Sequence, residues 1–157
     1  MVRLADLPEW ERSHMLEKIP ALPRLELRPW VKGGPLAKRR VALITTAGLH
    51  LRSDRAFTAA TRNDYKVIPG DADAADLVMT QFSVNSDRSG FQRDVNVVFP
   101  IDRLKELARE RAIGSVADFH YSFMGAGSAV TKYEARAREL AGLLRKDGVD
   151  AALLTPV

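Results

Sequence analysis

The sequence contains no cysteine among its 157 residues. This absence excludes disulfide bonds, thiolate nucleophiles, cysteine-ligated zinc and iron–sulfur clusters from these residues, and it fits a reducing compartment. Long apolar runs are also absent, because no stretch approaches the roughly 20 residues that a transmembrane helix needs. The first residues lack the apolar region of a signal peptide. We therefore expect a cytoplasmic protein that does not span a membrane.

Histidine is scarce as well, and the sequence positions of His14, His50 and His120 do not predict a metal site. The glycine fingerprint of dinucleotide-binding proteins and the nucleophile elbow of serine hydrolases are both missing. The net charge is +4, and the densest basic run lies at residues 38–40, directly before an apolar segment. Such a run is typical of a solvated strand entry. No nucleic-acid-binding motif accompanies it, so we expect no nucleic-acid partner.

The chain has two regions of different character. Residues 1–36 are interrupted by prolines and end in Gly33 and Gly34, and we interpret them as a Pro-rich N-terminal arm that Trp10 and Trp30 anchor. The remaining residues, 37–157, are expected to form one domain. Strands are predicted over 41–45, 65–68, 75–80, 94–99, 115–117 and 149–154, and helices over 102–111 and 131–146.

Two of these segments determine the predicted fold class. Residues 41–45 form a continuous apolar run, which is typical of a central strand buried on both faces, and residues 149–154 have the same character. A strand, a helix and a strand at the spacing of residues 115–154 indicate a parallel crossover. The predicted class is α/β: an open, mostly parallel sheet flanked by helices, in a Rossmann-like or flavodoxin-like three-layer arrangement.

The first candidate site follows the predicted strand over 41–45. Thr45 and Thr46 offer hydroxyl groups, Gly48 permits a tight turn, and His50 can transfer a proton near neutral pH. Ligands of open α/β sheets bind beyond the carboxyl ends of the strands, where this segment lies. The alternative is a strand-ending turn whose hydroxyls bond to the local backbone.

A second candidate loop covers residues 120–127. Ser122, Met124 and Gly125 are its candidate binding residues, and Thr155, at the end of the last strand, is expected at the same edge of the sheet. The alternative is that Met124 and the aromatic residues of this loop belong to the core. The polar loop over 87–94 is interpreted as solvated, since exposed Asp/Arg pairs contribute little energy.

An ordered series of motifs resembles one known family. In chain order they are VALITTAGLHLRS (41–53), VIPGD (67–71), NVVFPIDRLKEL (96–107), IGSV (113–116), YSFMG (121–125) and DGVDAALLTPV (147–157). This series resembles the selenoprotein B family of the glycine, sarcosine, betaine and D-proline reductases, and within it the short bacterial members. The segment 81–86 departs from the family pattern, in which a stretch containing His and Tyr is expected.

The resemblance implies a subunit that takes part in reductive cleavage of a carbon–nitrogen bond in an amino acid or an N-methylated glycine. It also implies a selenocysteine or cysteine as the redox residue and a pyruvoyl group on a partner subunit. No catalytic residue is assigned within this chain, and His50 is at most auxiliary. The expected partners are other reductase subunits or a second copy of the chain, together with a small amine substrate.

The family's redox residue is expected just after a strand like that over 149–157. We therefore predict an in-frame UGA codon after Val157, read as selenocysteine in a longer protein, and expect the chain as given to be inactive. The DNA sequence after codon 157 tests this prediction, which a UAA or UAG codon would contradict. Two alternatives stay open: a binding module for a small carboxylated ligand, and a structural subunit of a complex.

Overall fold

The structure, a computed structural model, describes residues 3–22, 31–83, 88–126 and 129–157. The chain divides into two compact units, residues 1–31 and 32–157. In the first unit, helix α1 (Glu9–Lys18) lies between two 3-10 turns, Leu4–Asp6 and Ile19–Ala21, and none of these elements contains a buried residue. Trp10 lies on α1 and is 74% exposed, whereas Trp30 lies outside the described residues.

The main sheet of the second unit is built around strand β1 (Arg40–Thr45), the apolar run predicted from the sequence. Three strands pair with it in parallel: β5 (Ser115–Val116) and β6 (Phe119–Phe123) follow each other along one edge, and β7 (Ala151–Thr155) takes the other. Strand β3 (Tyr65–Pro69) pairs antiparallel with β6. In this register Thr45 faces Ser122 on one side and Thr155 on the other.

Helices cover both faces of this sheet. Val41 and Leu43 of β1 pack with Ile101 and Leu104 of helix α3 (Ile101–Arg109) in one core cluster. Residues of the opposite face, Ile44 and the aromatic side chains of β6, pack with helix α4 (Glu134–Lys146). This alternation follows the period of two in strands. The predicted α/β fold class, with a mostly parallel sheet flanked by helices, is therefore confirmed.

Smaller elements complete the second unit. Strands β2 (Leu49–Leu51) and β4 (Leu77–Met79) form an antiparallel pair of their own, and helix α2 (Ser89–Arg93) is a single short turn. The predicted strand over 75–80 thus lies outside the main sheet, and β2 was not predicted. In the described part of the chain, every helix is too short or too polar to cross a bilayer.

The predicted strand over 94–99 is wrong, because Val95–Val97 form a 3-10 turn. The Asp94 carboxylate accepts hydrogen bonds from the backbone and side-chain nitrogens of Asn96, both at 2.9 Å. Asn96 in turn binds Asp102 in the first turn of α3. Short polar side chains that bond to nearby backbone groups compete with strand pairing in this way, although Val98 and Phe99 still enter the core.

The final predicted strand is present, but its predicted burial is wrong. Strand β7 pairs only with β1 among the described strands, and the middle of β7 is exposed, with Leu153 at 42% and Leu154 at 66%. Apolar composition indicated burial on both faces. The structure instead places β7 at the edge of the sheet, where an apolar side chain can stay in contact with water.

Candidate functional site

The carboxyl ends of three parallel strands meet at Thr46, directly after β1. The Thr46 backbone nitrogen donates to the Thr155 carbonyl at 3.1 Å. The Thr46 hydroxyl accepts a hydrogen bond from the Val157 nitrogen at 2.8 Å, and the Thr46 carbonyl accepts one from Nε2 of Gln81 at 3.1 Å. Thr46 therefore connects β1, β7 and the segment that follows β4.

Two of the predicted glycines allow the loops at this edge to come into backbone contact. Gly48 (φ +68°) donates its N–H to the Phe123 carbonyl at 2.8 Å, and a Cβ at this position would lie 2.7 Å from the Thr80 carbonyl oxygen. Gly125 (φ +75°) packs against Thr46, whose carbonyl oxygen would lie 2.5 Å from a Cβ. Positive φ and close approach both favour glycine here.

Three other residues of the predicted site are buried beneath these loops. Thr45, Ser122 and Met124 are each 0% exposed. The Thr45 hydroxyl accepts a hydrogen bond from the Ala47 nitrogen at 3.2 Å, and the Ser122 hydroxyl accepts one from the Leu49 nitrogen at 2.7 Å. These two side chains thus hold the backbone of the loop after β1 in place, which is the arrangement the local-bonding alternative describes for Thr45.

His50 is 4% exposed, and both of its ring nitrogens have partners. Nδ1 lies 2.7 Å from the Leu51 carbonyl oxygen, and Nε2 lies 2.8 Å from the Thr80 hydroxyl. Because a carbonyl oxygen only accepts, Nδ1 carries a proton and donates it to Leu51. Direct proton transfer from His50 to a substrate therefore requires one of these bonds to break.

A cleft of about 370 Å³ opens at this edge of the sheet, on the α4 side. It is lined by Thr46, Phe123, Gly125, Val130, Tyr133 and Ala137. Thr46 and Gly125 belong to the predicted site, and the structure brings them together here with residues from the start of α4. Six other residues of the predicted site are not in the cleft lining: Thr45, Gly48, His50, Ser122, Met124 and Thr155.

Tyr133 is the functional candidate that sequence reasoning missed. Its ring meets the Phe123 ring edge-on, with centroids 5.7 Å apart. Its hydroxyl is buried and has no hydrogen-bond partner among the described residues. A buried hydroxyl is nearly always satisfied, so an unpaired one beside a cleft marks a position for a ligand atom. The available sequence signal was an aromatic residue between a glycine-containing loop and an amphipathic helix.

The cleft lining contains no charged side chain among the described residues. It can hold the uncharged part of a small molecule against Phe123 and Val130, with the Tyr133 hydroxyl as the polar contact. Clefts of this kind, mostly apolar with a few convergent polar groups, are typical small-molecule sites. The fold and this cleft define an α/β protein with an apolar cleft at the carboxyl edge of its parallel strands.

Comparison with known proteins identifies the family. The family model for glycine/sarcosine/betaine reductase selenoprotein B matches residues 12–157. The chain therefore belongs to this family, as its motifs indicated. No solved structure matches the chain.

Three relatives show the breadth of the similarity. D-proline reductase subunit gamma of Acetoanaerobium sticklandii is 39% identical over 116 residues, which are 73% of this chain and 47% of the relative. Glycine reductase complex component B subunit gamma of Symbiobacterium thermophilum is 32% identical, and sarcosine reductase complex component B subunit beta of Peptoclostridium acidaminophilum is 33% identical. Each of these two alignments covers 87% of this chain and 32% of the relative. The chain thus spans less than half the length of these relatives.

Proposed function

We propose that this chain contributes the substrate-binding part of a reductase subunit of the selenoprotein B type. The reaction would be reductive cleavage of a carbon–nitrogen bond in a small amine or amino acid. Family membership supports this reaction class, since the curated relatives are subunits of D-proline, glycine and sarcosine reductases. The observation that carries the proposal is the apolar cleft at the carboxyl edge, which is lined by Tyr133, whose hydroxyl is buried and unpaired among the described residues.

The cleft suits the carbon skeleton of such a substrate. A proline ring or an N-methyl group would pack against Phe123 and Val130, and the Tyr133 hydroxyl would donate to a carboxylate oxygen. A hydrogen bond to a charged group contributes about 1.5–3 kcal/mol. Thr46 and Gly125 would act by shape, because the Thr46 hydroxyl already accepts from the Val157 nitrogen and donates to the Val157 carbonyl oxygen at 3.4 Å.

The reducing group must come from outside these 157 residues, because none of them is cysteine. Breaking a carbon–nitrogen bond reductively consumes two electrons, and no side chain of this chain supplies them. We propose that a partner's pyruvoyl group activates the amine, that a selenocysteine or cysteine of a longer protein attacks the carbon and takes up the fragment as the amine leaves, and that an external thiol reductant supplies the two electrons that regenerate it. The isolated chain is then expected to bind substrate without turning it over.

Partner subunits are part of this proposal. Leu153 and Leu154, exposed on opposite faces of the sheet, lie on edge strand β7, whose outer backbone groups have no paired strand in the described structure. Such an edge readily accepts a further strand. We expect other reductase subunits, or a second copy of the chain, at this edge. Co-expression with the other subunits of a D-proline reductase, followed by size-exclusion chromatography, tests this contact.

Thermal unfolding tests substrate binding. D-proline, glycine, sarcosine and betaine are titrated against the chain, and at ten times the dissociation constant a bound ligand adds about 1.4 kcal/mol, or roughly 3–6 °C in Tm. Tyr133→Phe should weaken binding about tenfold or more. Tyr65→Phe is the matched control, because the Tyr65 hydroxyl bonds to Glu139 outside the cleft. If none of the four compounds raises Tm, the chain is better explained as a structural subunit.

A further inference from the structure

A second polar site lies on the opposite face of the sheet from Tyr133. Ser122 and His120 alternate with Tyr121 and Phe123 along β6, so His120 faces the α3 side. His120 is 0% exposed, and its ring stands edge-on to Phe99 at 5.7 Å between centroids. No part of the function proposed above uses this side chain.

The hydrogen bonds of His120 fix the position of its proton. Nδ1 accepts a hydrogen bond from the Leu43 backbone nitrogen of β1 at 2.9 Å. Burial, and after it the positive charge of Lys105, lowers the pKa of His120 to about 4. The ring is therefore neutral at neutral pH, with its one proton on Nε2. This Nε2–H group is buried and has no partner within the described chain.

The unpaired N–H group lies buried behind Gly70, a residue that lines a cleft. Nε2 is on the far side of the ring from β1 and lies 3.4 Å from the position that a Cβ of Gly70 would occupy. Gly70 lines a cleft of about 490 Å³ together with Lys105, Asp71 and Asp118. A Cβ at Gly70 would also lie 3.0 Å from the Ala117 carbonyl oxygen and 3.4 Å from the Asp118 carbonyl oxygen, so only the absence of a side chain at Gly70 leaves Nε2 next to the cleft lining.

The charged residues around this cleft indicate what charge its ligand would carry. Lys105 is half-buried and forms no ion pair with any described residue. Asp118 pairs with Arg40 at 3.0 Å, so its charge is offset, whereas Asp71 stays exposed at the rim. Two donors at this cleft, Lys105 in its lining and Nε2 of His120 behind Gly70, suit one anionic group, and the Asp71 carboxylate disfavours a second negative charge.

We propose that this cleft binds the carboxylate of a small monocarboxylic acid, with Lys105 as the cationic contact and the Nε2–H group of His120 as the hydrogen-bond donor. The carboxylate enters beside Gly70, and the uncharged end of the ligand lies toward the rim. This site is separate from the Tyr133 cleft, and its occupancy does not depend on the function proposed for that cleft.

Nuclear magnetic resonance of the imidazole nitrogens tests the proposal on the full chain. Sodium acetate should shift the Nε2 and Hε2 signals of His120 saturably, whereas sodium chloride at the same ionic strength should not. Sodium phosphate should bind at least severalfold more weakly than acetate. Lys105→Met should weaken acetate binding about tenfold or more, while Lys146→Met, on the exposed end of α4, should leave it unchanged.

A second variant separates binding from folding. Gly70→Ala keeps every charge and puts a methyl group beside Nε2; the φ of Gly70 is not in the left-handed region, and the 3.0 Å contact of the new Cβ with the Ala117 carbonyl oxygen needs a shift of only a few tenths of an ångström. It should stay folded and lose acetate binding. Equal shifts in chloride and acetate, unchanged affinity in both Lys105→Met and Gly70→Ala, or phosphate binding as tightly as acetate would each overturn the assignment. Loss of binding in Tyr133→Phe would also overturn it, by placing acetate in the other cleft.

Discussion

The two buried histidines differ in how many of their nitrogens are satisfied. His50 has a partner at both, whereas His120 has one at Nδ1 and none at Nε2 among the described residues. A ring with both nitrogens hydrogen-bonded stabilises the fold, and neither nitrogen can bind a ligand unless one of these hydrogen bonds breaks. A half-bonded ring supports the fold through one nitrogen and leaves the other for a ligand or a bound water.

Burial of neutral His120 makes stability depend on pH. Its pKa is about 4 in the folded chain and about 6.5 in the unfolded chain. The unfolded state therefore takes up a proton first, so stability is complete above pH 6.5 and falls between pH 6.5 and 4. The loss should reach about 3 kcal/mol. Urea unfolding measured across this pH range tests the prediction.

Replacement of His120 provides the control for this titration. In His120→Asn the amide oxygen can still accept from the Leu43 nitrogen, but the side chain no longer titrates. The variant should be less stable at pH 7 and should lose most of the pH dependence between 6.5 and 4. An unchanged pH dependence would assign the titration to another group.

Gly125 lines the Tyr133 cleft and packs against Thr46 through its backbone conformation. Gly125→Ala combines a left-handed φ with a Cβ only 2.5 Å from the Thr46 carbonyl oxygen. We expect it to lower the free energy of unfolding by about 1–3 kcal/mol and to weaken substrate binding. Gly142→Ala is the matched control, because its Cβ meets nothing within 4 Å on helix α4. Gly142→Ala should raise the free energy of unfolding by about 0.5–1 kcal/mol. If both variants lose stability to a similar extent, the left-handed φ of Gly125 does not explain the loss.

Among the elements, β1 depends on ion pairs at its amino end. Arg40 bonds to the Asp147 carboxylate at 2.5 Å and to the Asp147 and Val116 carbonyls, each at 2.7 Å. Arg39 pairs with Asp150 at 2.7 Å. The basic run over 38–40 was interpreted as solvated. Two of its three members instead connect β1 to the end of α4 and to the segment before β7.

Arg40→Met tests this connection. The Asp147 side chain is 13% exposed, and without Arg40 its carboxylate is left without its cation. Burial alone would raise the pKa of Asp147, but the hydrogen bonds and charge of Arg40 hold it below the ordinary value. We expect a loss of about 2–4 kcal/mol at pH 7, measured by urea unfolding. Arg138→Met, which breaks the exposed pair with Glu134, should cost less than about 0.5 kcal/mol.

At the scale of the whole molecule, the sequence predicts those structural features that produce a recognisable pattern in neighbouring residues. β1 was predicted because burial on both faces requires a continuous apolar run. β2 was missed because three residues show no period, and its partner β4 is distant in sequence. The carboxyl edge was predicted as the site from strand direction alone. Tyr133 was missed because its place there depends on how the chain returns from β6 to α4.

The same architecture predicts which strand is the last to lose its hydrogen bonds when the protein unfolds. β1 is hydrogen-bonded to β6 on one edge and to β7 on the other, and helices α3 and α4 cover its two faces. Its amides should be released only by global unfolding, whereas the β2–β4 pair and the free edge of β7 open locally. In hydrogen–deuterium exchange we therefore expect Leu43 and Ile44 to exchange slowest, with protection equal to the free energy of unfolding. If amides of β2 and β4 are protected equally, the two sheets unfold as one unit and β1 is not the last element to open.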